Sequence, residues 1–146
     1  MAKIIIPLVD RAPELDGDLS QNVWKNAPWQ GGFTVLGDPE KTAADPQTSF
    51  AMVHSGKNLY IAVKAEEPQP GKVRAIAPDD PQVESAIFGQ DLFEFFIDAE
   101  ALDQSCAQLA FNSRGALVDL WFRGVCTEVF HDWDSKARIL TGPAPR

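Results

Sequence analysis

The clearest chemical signal in this chain is a carboxylate set among aromatic rings, in Asp91-Leu-Phe-Glu-Phe-Phe-Ile-Asp98. Apolar residues alternate at Phe93, Phe95 and Ile97, the period-two signature of a strand with one buried face, and Glu94 falls on the other face. An unpaired carboxylate buried in a sheet costs several kcal/mol or must shift its pKa, so the face carrying Glu94 is expected to be open. Rings that stack on the C–H faces of a sugar, beside fixed acceptors that orient its hydroxyls, are what carbohydrate binding demands of such a surface. Phe88, in Phe88-Gly89-Gln90 just ahead of the strand, is a further stacking candidate.

Catalytic chemistry is less well served. Glycoside hydrolysis needs two carboxyl groups roughly 5–10 Å apart across the scissile bond. Glu94 and Asp98 share a strand face four residues apart, about 13 Å at ~3.3 Å per residue, which is too far. There is no Gly-x-Ser-x-Gly, and His54 and His131 have no recognisable catalytic partners in the sequence. Zinc is not signalled either, for want of His-x-x-x-His or Cys-x-x-Cys. Met52 and His54 are residue types that ligate haem, but they lie on one face of one predicted strand and cannot reach both sides of a porphyrin. The domain is therefore expected to be non-enzymatic.

The elements that must position Glu94 are mostly strands. Lys3–Val9 reads as a short strand. Thr48–His54 and Leu59–Ala65 form a hairpin across Ser55-Gly56-Lys57-Asn58, residues that tolerate left-handed backbone. The connection from Glu66 to Gln90 holds Pro68, Pro70, Pro78 and Pro81 and is expected to be an ordered loop without helix. Leu92–Asp98 follows, then a second hairpin, Cys106–Asn112 and Leu117–Arg123, around Ser113-Arg114-Gly115-Ala116. One helical turn is expected at Leu19–Ala27, opening at Asp18 or Ser20 and stopped by Pro28. Many short strands with turn signals between them predict an all-β fold, an antiparallel β-sandwich with one short helix near the N-terminus.

Pairing Asn112 with Leu117 places Ala107, Leu109, Phe111, Val118, Leu120 and Phe122 on one face of the second hairpin. Gln108, Asn112, Trp121 and Arg123 then share the other face and are expected to lie beside Glu94. In this register Cys106 and Cys126 sit three positions out of step on opposite faces, so both thiols are expected to remain unpaired, Cys126 the more buried. Trp24 and Trp29 read as core, and Trp133 as an anchor for the polar stretch around it.

With 13 Lys and Arg against 21 Asp and Glu, the net charge is −8. Nucleic acid and anionic membrane are poor partners for such a chain, since both are held by cationic side chains. Hydrophobic residues make up 45% of the 146, enough for a globular core, and the length suits a single domain spanning residues 1–146. Ile4-Ile5-Ile6 before Pro7 is too short for the apolar core of a signal peptide, and no run approaches a membrane span.

Two segments resemble the family 9 carbohydrate-binding modules and related DOMON-like sandwich domains. One is Pro13-Glu-Leu-Asp-Gly-Asp-Leu-Ser-Gln-Asn-Val-Trp-Lys-Asn-Ala-Pro28, similar to the family's entry motif. The other comprises Asn58-Leu-Tyr-Ile-Ala-Val-Lys-Ala-Glu-Glu-Pro68, Gln90–Asp98, and Gln108-Leu-Ala-Phe-Asn112 with Gly115. The resemblance implies a non-catalytic accessory domain, fused to other domains in a polysaccharide-degrading enzyme such as a glycoside hydrolase, or in a cell-surface protein. It implies an extracellular or periplasmic location and an oligo- or polysaccharide partner. The resemblance gives sugar-binding roles to Phe88, Glu94 and Asn112, and the hairpin register adds Gln108 and Trp121 as the further expected sugar-binding residues. Phe88 stands where the family's sugar binders carry a stacking tryptophan, and Ala110 where they carry an arginine. The resemblance also implies a structural calcium ion, for which Glu66, Glu67 and Asp91 are the candidate ligands. The family's closing strands and second stacking tryptophan have no counterpart here, so a sheet edge open to self-association is expected. The alternative implied by the departures at Phe88 and Ala110 is a structural or protein-interaction sandwich that has lost sugar binding.

Overall fold

The computed structural model describes residues 4–99, 101, 104–124 and 127–142. The protein is all-β, built on two antiparallel sheets with a short helix near the N-terminus. It divides into two compact units, one running to Pro70 and including Gly142, the other spanning Gly71–Thr141. The division falls inside the proline-rich connection.

The first unit holds α1 (Asn22–Lys25), β1 (Thr48–His54) and β2 (Leu59–Ala65). Both strands begin and end where the sequence predicts, with Thr48 opposite Ala65 and His54 opposite Leu59. Gly56, at φ 84°, supplies the left-handed residue that their connection requires. Ala51 and Val53 point inward from β1 and meet Ala62 of β2, and these small side chains leave room for the Trp24 indole of α1. Trp29 closes the cluster, its Nε1–H donating to the Trp24 carbonyl at 2.8 Å. Both tryptophans are thus structural, as the sequence suggests. The helix is shorter than Leu19–Ala27, because Asp18 diverts its first turn. The Asp18 carboxylate accepts from the Ser20 N–H and hydroxyl, and this local bonding competes with helix formation. The expected strand at Lys3–Val9 is reduced to a single parallel bridge between Leu8 and His54. Pro7 lacks an N–H and contributes only its carbonyl, which accepts from His54 N–H at 2.9 Å. Lys3 lies outside the described residues.

The second unit carries a four-stranded sheet in the order β3 (Phe93–Ile97), β4 (Ser105–Phe111), β5 (Leu117–Arg123) and β6 (Glu128–Phe130). The short strand β6 has no strong period in the sequence and was not anticipated. The register of the β4–β5 hairpin differs from expectation by one residue, since Phe111, and not Asn112, faces Leu117. Asn112 is withdrawn into the connection: its N–H donates to the Ala116 carbonyl, and its Oδ1 accepts from the N–H groups of Arg114 and Ala116. A slip of one residue exchanges the faces. Gln108 and Ala110 therefore share a face with Val118, Leu120 and Phe122, while Trp121, Asp119 and Arg123 lie on the other with Leu109 and Phe111.

A second core forms where the connection folds over this sheet. Ile76 and the wholly buried Ile87 pack with Ala116, Val118 and Leu120. The expectation of no helix in this connection is corrected by α2 (Val83–Ala86) and by 3₁₀ turns at Pro70–Lys72 and Ile87–Gly89. All four prolines precede Gln82, so the stretch from there to Gln90 keeps every backbone donor and is free to turn.

Candidate functional site

Strand β3 lies at the edge of its sheet, and its burial alternates as its sequence does, with Glu94 and Phe96 exposed and Phe93, Phe95 and Ile97 half-buried. Glu94 sits opposite Ala110, and Phe96 opposite Gln108. Directly opposed residues in an antiparallel pair have Cβ atoms about 5 Å apart, so Glu94, Phe96 and Gln108 form one patch. Gln108 is only 6% exposed, and its Nε2 donates to Glu94 Oε1 at 2.5 Å. The buried amide fixes the direction of an exposed carboxylate, and the Phe96 ring, 60% exposed, lies beside both. Chemically the patch offers a flat apolar surface, an anionic acceptor held in place, and an amide.

Sequence reasoning missed Phe96. The signal was present, since Phe96 is two residues from Glu94 and must share its face in a strand. It was obscured by the pair Phe95-Phe96, in which only one member continues the buried alternation.

The other expected site residues do not join the patch. Trp121 lies on the opposite face of the sheet, with its ring 5.5 Å from that of Trp133 and inclined at 44°. The anchoring role read for Trp133 fits this contact. Asn112 is 1% exposed and fully engaged, with Nδ2 donating to the Ile76 carbonyl at 2.9 Å and Oδ1 accepting two backbone N–H groups. It is a staple between the hairpin connection and the segment covering the sheet. Phe88 is 45% exposed but lines a cavity along β5, two strands from β3, or about 10 Å at ~4.8 Å per strand. Arg123 is held at the end of β5 by an ion pair with Glu128 at 2.8 Å and lies 5.1 Å from the Phe130 ring centre.

The carboxylates put forward for calcium serve the local backbone. Glu66 accepts from Gln47 N–H, Glu67 from Gln69 N–H, and Asp91 from Arg74 N–H at 2.7 Å. Among the described residues, no three His, Cys, Asp or Glu side chains are grouped to hold a metal ion. Cys106 is half-buried and faces Phe122, whereas Cys126 lies outside the described residues. No described helix is long and apolar enough to cross a membrane.

No protein-family model, curated protein or solved structure matches the chain.

Proposed function

We propose that this protein is a non-catalytic carbohydrate-binding module of a larger polysaccharide-degrading or cell-surface protein, exported to the extracellular space or periplasm. The observation that carries this reading is the patch of Phe96, Glu94 and Gln108 on the edge of the sheet. The ring would stack on a sugar's C–H face, while Glu94, oriented by Gln108, accepts from a pair of hydroxyls. A carboxylate already held in one direction loses less conformational freedom on binding than a free one. Phe96 takes the stacking role for which Phe88 and Trp121 were candidates.

Calorimetric titration of the protein with a panel of oligosaccharides, with and without calcium, tests the proposal. Binding is expected, and to be lost in both Glu94→Ala and Phe96→Ala with little change in stability, since surface substitutions usually alter stability by less than ~0.5 kcal/mol. Binding that survives both variants, or no binding to any sugar of the panel, would overturn it. A structural or interaction role is the second reading, favoured by one observation: the β5 side of the Gln108 face is covered by Ile76 and Ile87. On that reading no sugar binds.

A further inference from the structure

Strand β6 pairs with β5 only over Trp121–Arg123, so among the described residues the Leu117–Leu120 half of β5 has no strand partner on that side. The register shows which backbone groups face that edge. Asn112 N–H donates to Ala116 O, and in an antiparallel ladder the direction of the bonds alternates from residue to residue. The N–H and C=O groups of Leu117 and Asp119 consequently point away from β4, toward the place β6 has left. Among the described residues none of them meets a backbone partner. The chain beyond β6 does return to this edge, but it is held by a side chain: Ser135 N–H donates to Asp119 Oδ2 at 2.6 Å.

A cavity of about 120 Å³ occupies the gap. Val83, Leu117, Val118 and Leu120 contribute apolar walls, and Glu84, Phe88, Asp119 and His131 also line it. Among the described residues, no lysine or arginine lines it. Lys136, near enough to Asp119 to feel its charge, is paired with Asp134. An anion entering would meet two carboxylates with no counter-charge. A primary ammonium would meet the Phe88 side chain, the Glu84 and Asp119 carboxylates and the outward carbonyls of Leu117 and Asp119, a set rich in acceptors. The volume corresponds to about four waters at ~30 Å³ each, which suits a short alkyl chain bearing one head group.

We infer that the β5-edge cavity is a binding site for a compact primary ammonium group, separate from the Glu94 patch and independent of sugar binding. The apolar walls take the alkyl portion, the ring and carboxylates take the charge, and the outward N–H groups of Leu117 and Asp119 remain for an acceptor on the ligand.

The test is a ¹H–¹⁵N NMR titration of the whole chain with n-butylammonium chloride, with n-butanol as the neutral counterpart. Saturable shifts are expected at Phe88, Leu117–Leu120 and His131, with butanol at least about tenfold weaker. Glu84→Gln and Asp119→Asn should each weaken butylammonium by about tenfold and leave butanol unchanged. The asparagine keeps an oxygen for Ser135 N–H, and Glu84 is exposed, so that variant decides the matter if the other misfolds. Equal binding of butanol, shifts scattered over carboxylates elsewhere, or indifference to Glu84→Gln would overturn the inference.

Discussion

Asn112→Ala should be among the most damaging single substitutions in this protein, and the reason is countable. The side chain satisfies three backbone groups: the Ile76 carbonyl, the Ala116 N–H and the Arg114 N–H. Ile76 is 9% exposed and Ala116 wholly buried, so water cannot readily replace the lost partner at either. An orphaned buried group costs ~1–3 kcal/mol, and the Arg114 N–H, partly exposed, about 1 kcal/mol or less. The expected loss is about 4 kcal/mol, a large share of the ~5–15 kcal/mol typical of a domain. Urea denaturation followed by tryptophan fluorescence measures it. Asn112→Asp sharpens the test, because it keeps an acceptor for the two N–H groups but turns a donor-less oxygen toward the Ile76 carbonyl. A protonated carboxyl can donate there and a carboxylate cannot, so the folded-state pKa of the new aspartate should rise above its ordinary value near ~3.9. A raised folded pKa means stability that is fully present below the unfolded value and lost as pH rises through the folded one. The aspartate variant should come nearest to the parent protein below about pH 4 and fall behind it above. A loss under about 1 kcal/mol for the alanine, or a deficit in the aspartate variant that ignores pH, would refute the staple.

Three further outcomes follow from the same structure. Gln108→Leu should change stability by less than ~1 kcal/mol, since the partner it abandons, Glu94, is exposed and can turn to water; calorimetry should nevertheless show sugar affinity lost. In Gly142→Ala the new Cβ would come within 2.4 Å of the Gly17 carbonyl oxygen, a backbone atom, so thermal denaturation should reveal a loss of ~1–3 kcal/mol, whereas Gly71→Ala, with nothing within 4 Å, should be near neutral. The Asp38 carboxyl accepts from the Thr42 hydroxyl and from the N–H groups of Glu40 and Thr42, which hold its pKa below the ordinary aspartate value. Its contribution to stability is therefore present above the unfolded value and fades as pH falls through the folded one. In a carbon-detected NMR titration, Thr42→Val should raise its midpoint, and an unchanged midpoint would remove the hydroxyl from the account.

What could be read from the sequence was what local chemistry decides. The first hairpin was legible to the residue because alternation in both strands and the turn residues at Ser55–Asn58 agree. Strand β3 was legible for the same reason, and with it the exposure of Glu94. The strands of the second hairpin were also legible, but their register was not. It rests on the Asn112 side chain, whose partner at Ile76 lies 36 positions away and leaves no periodic trace. That single hidden contact exchanged the faces of β5, so that Trp121 was assigned to the wrong side of the sheet. Asn112 was misread for a related reason, as amide side chains serve ligands and buried backbone equally well, and only burial separates the two uses.

Gln108 shows how that distinction bears on function. Asn112 and Gln108 are the two buried polar residues of the described core, and they differ in what they hold. Asn112 bonds to backbone that would otherwise be orphaned, so its burial is explained by the fold alone. The described bond of Gln108 is to an exposed carboxylate that water could satisfy, and burying an amide beside Ala110, Val118 and Leu120 gains little that leucine would not supply. The stability of the sheet therefore does not account for an amide at position 108. On the proposed function, the amide serves to fix the direction of Glu94 next to an exposed phenylalanine.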